Sequence, residues 1–98
     1  MTECRIKLVR KRDGRLVPFD QEEITNAIFK AAQAVGGDDR ERAVFISNYV
    51  VKMLEERYGE AAIPSVEDIQ DLVERALIKH GHAKTAKAYI LYRDLHNK

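Results

Sequence analysis

Val9-Arg10-Lys11-Arg12-Asp13-Gly14-Arg15-Leu16-Val17-Pro18-Phe19-Asp20 is the stretch whose reading decides the fold. It holds a basic strand, a tight Asp-Gly turn, a short return strand and the entrance to a helix. Just upstream, Cys4, Ile6 and Leu8 alternate with Arg5, Lys7 and Val9, the pattern of a half-buried strand with the first set inward. Arg12-Asp13-Gly14-Arg15 reads as a hairpin turn, because Asp-Gly tolerates the positive φ angles of a two-residue loop. Leu16 to Phe19 forms the return strand, and Pro18, with no N–H to give a ladder, places that strand at an edge. Asp20 then opens a helix, with Glu23 at capping-box spacing and Phe19 and Ile24 at the spacing of a hydrophobic staple. Lys7, Val9 and Lys11 share one strand face, and Arg12 follows at the turn. The hairpin leads straight into a helix N-terminus, where partial positive charge attracts anions. These groups make a candidate site for an anion such as a nucleoside triphosphate. The plainer alternative is a solvated basic strand ending in a tidy turn.

Working outward, Ile24, Ala27, Ile28, Ala31 and Val35 keep the helical rhythm until Gly36-Gly37 stops it. Asp38-x-x-Glu41 repeats the capping logic for a second helix, which runs to about Tyr58 and stops at Gly59. That helix is apolar on several sides (Val44, Phe45, Ile46, Tyr49, Val50, Val51), which predicts central packing. Ala61-Ala62-Ile63-Pro64 is a candidate third strand. Ser65 with Asp68 caps a third helix with the stripe Ile69, Leu72, Val73, Ala76 and Leu77, closed by Gly81, and a fourth helix runs from about His82 to His96. A small hairpin on four helices is an α+β arrangement. No linker, repeat or low-complexity tract divides the chain, so residues 1–98 read as one unit.

Composition narrows the function classes. The 98 residues carry 17 cations and 16 anions, a formal net charge of +1, which disfavours a dedicated nucleic-acid binder. The cations are nonetheless concentrated at the start: Arg5, Lys7, Arg10, Lys11, Arg12 and Arg15 face only Glu3 and Asp13 within the first 15 residues. A lone cysteine, Cys4, forms no internal disulfide and suits a reducing compartment. With no membrane-span-length apolar run and no secretory signal, the expected location is cytoplasmic, with no membrane partner. His80 and His82 flank Gly81 without a third ligand and are better explained by a helix C-terminus, so no metal site is assigned. There is no phosphate-binding P-loop and no arrangement for nucleophilic catalysis. No catalytic residue is assigned, and the chain alone is expected not to be an enzyme.

Four separated blocks resemble the ATP-cone domain: Val9-x-Lys11-Arg12-Asp13-Gly14, then Pro18-Phe19-Asp20-x-x-x-Ile24, then Ile69-Gln70-Asp71-x-Val73-Glu74, and last Ala86-Lys87-Ala88-Tyr89-Ile90-Leu91-Tyr92-Arg93. The resemblance covers about residues 4 to 95 in the right order. It implies a four-helix bundle capped by a small two- to three-stranded sheet. It also implies an allosteric ATP or dATP ligand, with Mg²⁺ left open, between cap and helices. By that resemblance Val9 lies against the adenine, Lys11 and Arg12 hold phosphates, and Asp13 and Gly14 shape the turn. Ile24 lines the slot, Gln70 sits near base or sugar, and Lys87 is the fourth-helix cation best placed to reach in. Relatives often carry Glu where this chain has Val17, and Lys where it has Glu23. Such domains usually stand at the N-terminus of ribonucleotide reductases, anaerobic or cobalamin-dependent classes included, as an overall-activity switch. The expected partners are therefore a reductase's catalytic domain or subunits, a homo-oligomer among the assemblies this allows. The alternatives are the nucleotide-sensing half of a transcriptional repressor, against which the start of the match near Met1 counts, and a nucleic-acid or protein interaction domain.

Overall fold

The computed structural model describes residues 6–59 and 62–96, with the side chains of 95 and 96 left aside. The elements run β1 (Leu8–Arg10), β2 (Leu16–Pro18), α1 (Gln21–Ala34), α2 (Arg40–Tyr58), α3 (Val66–Lys79) and α4 (Ala83–His96). The helices form a ring, α1 packing on α2 and α4, and α3 on the same two. The protein is α+β, a helical bundle with a small two-stranded antiparallel sheet.

Leu8 faces Pro18, Val9 faces Val17 and Arg10 faces Leu16 across the hairpin. Pro18 sits on the strand that has β1 alone as its neighbour, as its missing donor requires. Two expectations about this hairpin are corrected. The turn is a three-residue loop, not a two-residue one: the Lys11 N–H donates to the Arg15 carbonyl at 2.7 Å and the Gly14 N–H to the Lys11 carbonyl at 2.9 Å. Only Gly14 takes a positive φ there (+91°), so Asp13 escapes the left-handed strain that a two-residue turn imposes. The inward face also differs from the simple alternation. Ile6 is buried, but Leu8 turns outward and Val9 is buried. With Val9 inward, Lys11 two positions on shares its face. Cys4, expected on the packed side, lies outside the described residues.

The candidate third strand is reduced to a single parallel bridge. The Arg10 N–H donates to the Pro64 carbonyl at 3.0 Å, and Arg10 bridges Ser65. Residues 60–61 lie outside the described part.

The helix starts follow their caps. Asp20 accepts from the Glu22 N–H, Asp39 (one position later than expected) accepts from the Arg42 N–H, and Ser65 with Asp68 closes a reciprocal box. At α1 the cap is Asp20 alone, and Glu23 turns toward the hollow described below. Helix α2 is a corner of the ring and not its centre. Ile46, Val50 and Leu54 are fully buried, yet Val44 and Phe45 lie on the outside. A helix with two neighbours buries a wedge, and a broader apolar belt leaves its surplus in water. Between α1 and α2 a polar cluster is satisfied internally. Thr25 donates to Ser47 Oγ at 2.7 Å, Gln21 donates to the same oxygen at 3.1 Å, and Ser47 passes its own proton to the Val44 carbonyl at 3.0 Å.

Tyr58 at the end of α2 donates to Asp68 Oδ2 at 2.6 Å, tying α2 to the start of α3. This bond, ahead of the Ser65 contacts, holds the Asp68 carboxyl below its ordinary range, while burial and then the same bond raise the Tyr58 phenol. A depressed carboxyl contributes stability above its unfolded value and loses it as pH falls through the folded one. Tyr58→Phe is expected to cost about 0.5–1.5 kcal/mol near neutrality, a typical net hydrogen-bond contribution. The gap to the parent chain should narrow as pH falls below about 4, where the unfolded carboxyl protonates, and through the lower folded value. Denaturant titrations across that range check both points.

Candidate functional site

Three helices and the hairpin leave a hollow of about 840 Å³ between cap and bundle. Its walls follow from helical spacing. Glu23, Asn26, Ala27 and Lys30 lie along one face of α1, Val66, Ile69 and Gln70 along one face of α3, and Tyr89, Tyr92 and Arg93 along one face of α4. The cap adds Val9, Lys11, Val17, Pro18 and Phe19, and the α1 cap residue Asp20 completes the rim.

The electrostatics are uneven. Lys11 enters from the hairpin, Lys30 from α1 and Arg93 from α4, against Asp20 and Glu23 at the start of α1. Lys30 Nζ lies 5.9 Å from the Tyr92 ring centre, within cation–π range. Arg93 is held loosely by three carboxylates, Glu74 at 3.5 Å, Asp71 at 3.7 Å and Asp94 at 3.8 Å, with its side chain 24% exposed. Tyr89 is buried, and desolvation pushes its phenol up to about 12, with the Arg93 charge pulling the other way.

Of the residues singled out from the sequence, the structure gathers Val9, Lys11, Ile24 and Gln70 on the walls of this hollow. Asp13 and Gly14 stand in the turn. The Asp13 carboxylate accepts from the Arg15 N–H at 3.1 Å and from Arg15 Nε at 2.7 Å, contacts that hold its pKa below the usual value. Arg12 is not on the walls. Its Nε donates to Glu67 at 3.0 Å, outside the lining. Lys87 is exposed on α4 and does not line the hollow either. Two positions before Tyr89, at about 100° per residue, it lies on nearly the opposite side of the helix.

Sequence reading passed over Lys30 and named Tyr89, Tyr92 and Arg93 only as part of the last matching block. The signal was present: Lys30 falls seven residues after Glu23, on the same helical face, and Tyr89, Tyr92 and Arg93 have i, i+3, i+4 spacing. His80 and His82 are absent from the walls. His80 Nδ1 meets the Ala76 carbonyl at 2.8 Å, and its ring packs edge-on against Phe45 and Tyr49. Among the described residues no three metal-ligating side chains cluster, and no helix is long and apolar enough to cross a membrane.

A hairpin lid over a cation-edged hollow defines a small α+β ligand-binding domain. The chain belongs to the ATP cone domain family, whose model matches residues 7–98. It is 43% identical over 94 residues to the vitamin B12-dependent ribonucleoside-diphosphate reductase of Thermoplasma acidophilum, across 91% of this chain and 12% of that protein. It is 36% identical over 85 residues to the anaerobic ribonucleoside-triphosphate reductase of Salmonella typhimurium, across 87% of this chain and 11% of that protein. A third relative is the ribonucleoside-diphosphate reductase subunit alpha of Chlamydia pneumoniae, 34% identical over 93 residues, across 86% of this chain and 9% of that subunit. The chain thus matches a small part of much longer reductases.

The Tyr89 phenol offers a probe of the hollow's buried floor. Its raised pKa means that the stability from burying the neutral ring is intact below the unfolded value and lost as pH rises through about 12. In an absorbance titration of phenolate, Tyr89→Phe should remove the component with the highest midpoint among the four tyrosines. Loss of an ordinary tyrosine transition instead would mean that the ring is solvated.

Proposed function

We propose that this chain is a nucleotide-sensing regulatory module of a ribonucleotide reductase and that ATP or dATP occupies the hollow beneath the hairpin. The observation that carries the reading is the convergence of Lys11, Lys30 and Arg93, from three separate elements, on one hollow whose other walls include Val9, Ile24, Val66 and Ile69. A purine needs an apolar slot with a few polar groups at its edge, and the Gln70 amide stands among those walls. A polyphosphate needs cations, which form charge-assisted bonds about twice as strong as neutral ones. On this reading Val9, Ile24 and Gln70 take the base side and Lys11 the phosphates, with Asp13 and Gly14 setting the turn. Arg93 takes the α4 role first given to Lys87. Asp20 and Glu23, at the same rim, repel a bare triphosphate and suit one that arrives with Mg²⁺.

The relatives' reductase names suggest the partner, a reductase's catalytic domain or subunit; we place the module in the cytoplasm and assign it no catalytic step. ATP and dATP differ by one hydroxyl, and a buried polar group left without its partner costs about 1–3 kcal/mol. Such a difference biases which form is bound. A bound form then shifts an assembly only by its difference in affinity for two states, typically about 1–3 kcal/mol. Adenine selectivity and the sign of the switch follow from those differences.

Calorimetric titration with ATP, dATP and GTP tests the reading directly. Adenine nucleotides should bind, and Lys11→Ala should weaken them by about 1.5–3 kcal/mol, the range for a hydrogen bond to a charged group. The melting temperature should stay put, because Lys11 is exposed. No uptake of adenine nucleotide at millimolar concentration defeats the proposal.

A further inference from the structure

The outer face where α2 meets α3 carries a smaller groove, of about 270 Å³, that shares no lining residue with the hollow beneath the hairpin. Helical spacing builds it. Tyr49, Met53 and Arg57 stand four apart along α2, and Leu72, Arg75 and Lys79 stand at i, i+3 and i+7 along α3. Its rim is basic on both walls, with Arg57 on one and Arg75 and Lys79 on the other, and no carboxylate lines it. All three cations are exposed. Two of them have a place in the fold. Arg57 lies in the last turn of α2, where Asp68 feels its charge. Lys79 lies in the last turn of α3, 5.5 Å from the centre of the Tyr49 ring. Both suit a helix C-terminus. Arg75 stands a turn further in, and among the described residues no ion pair or hydrogen bond engages its side chain. The groove's apolar side continues past Tyr49: the His80 ring packs edge-on against both Tyr49 and Phe45, and Phe45 is 50% exposed.

We infer that this face is a docking groove for an acidic amphipathic helix of a partner protein, its apolar side chains over Tyr49, Met53 and Leu72 and its carboxylates on Arg57, Arg75 and Lys79. Composition favours a protein partner, because interface cores are enriched in aromatic residues, Met and Arg. Shape favours a helix, whose apolar face lies in such grooves. Charge selects the sign. The whole chain is close to neutral at +1, yet this groove gathers three cations round an apolar floor with no acid to balance them. Carboxylates complement that field, and cations are turned away by it. A second copy docking through the same face would set cation against cation, because a two-fold interface pairs a patch with itself. A nucleic-acid backbone supplies anions but no aliphatic group for Met53 and Leu72. The inference does not depend on the nucleotide reading.

The test is fluorescence anisotropy and ¹⁵N spectra of the 98-residue chain with a short labelled peptide of Glu and Leu at helical spacing. A Gln/Leu peptide removes the charge, a Glu/Ala peptide removes the apolar anchors, and a thymidine oligonucleotide offers phosphates instead. The Glu/Leu peptide should bind more tightly than either control peptide, shift the signals of Tyr49, Met53, Arg75 and Lys79, and weaken as salt is added. Arg75→Ala should weaken it by about 2- to 5-fold, the yield of one exposed ion pair, and Arg75→Glu should weaken it further. Lys84→Glu, the same change of charge at an exposed position on α4, should have no effect. No binding of the Glu/Leu peptide at millimolar concentration overturns the inference, as does equal binding of the Gln/Leu peptide or an equal loss with Lys84→Glu. Uptake of the oligonucleotide at Arg75 in place of the peptide would assign the face to nucleic acid, and concentration-dependent shifts of the same residues in the chain alone would assign it to a second copy. Either result overturns the inference too. ATP uptake should survive Arg75→Glu, so a failure here leaves the nucleotide reading standing.

Discussion

A two-stranded hairpin of three residues a side does not hold its shape alone in water. Everything on the cap side of this molecule therefore depends on how β1 is fastened to the helices. Among the described residues, the Arg10 N–H meets the Pro64 carbonyl, and Ile6 and Val9 are buried within the bundle's core cluster. Neither works without the other. The backbone bond alone is worth about 1 kcal/mol net, and the Val9 side chain finds its place only if the strand lies in that register. Once both are set, the next inward position is Lys11, which reaches the hollow because it is two residues from a buried valine.

That constraint also explains what was legible beforehand and what was not. The caps Asp20 and Ser65, the stops at Gly36 and Gly59 and the stripe on α3 are local signals, and each stood at or within a residue of its expected place. The strand's inward face was not legible, because Ile6, Leu8 and Val9 are all apolar and alternation alone cannot choose between Leu8 and Val9. The choice is made by the Pro64 contact, more than 50 residues away, which no local window contains. Helix α2 failed for a related reason. Its apolar residues exceed what two neighbouring helices can cover, and sequence does not report how many neighbours a helix has.

The site was half legible on the same terms. Val9, Lys11, Ile24 and Gln70 stand on elements whose faces the sequence pattern and the family resemblance fix, and they do meet. Arg12 was chosen from its place at the turn and in the matching block, and Lys87 as a fourth-helix cation, and neither ground fixes a side chain's direction. Arg12 has a competing carboxylate 55 positions on, and Lys87 looks the wrong way. Lys30 and Arg93 were recoverable had helical phase been weighed above charge. For a hollow built between helices, phase is the stronger guide.

The walls of the hollow are not equally stiff. Helix α1 is capped by Asp20, and its first residue, Gln21, is bound into the buried Ser47–Thr25 cluster with α2. Shifting α1 would strand the buried Thr25 and Ser47 hydroxyls without their partners, which costs more than the bonds themselves. On the opposite side, Arg93 is held at 3.5 to 3.8 Å by three carboxylates, distances at which a guanidinium is attracted but not fixed. Beyond the Arg10–Pro64 bond, the polar contact between hairpin tip and α3 among the described residues is the exposed Arg12–Glu67 ion pair. A ligand entering this space meets an immovable wall in α1 and two yielding ones in the tip and the Arg93 side of α4. On the proposed nucleotide reading, the rearrangement that accompanies binding falls at those two places, where occupancy of the hollow would be sensed from outside.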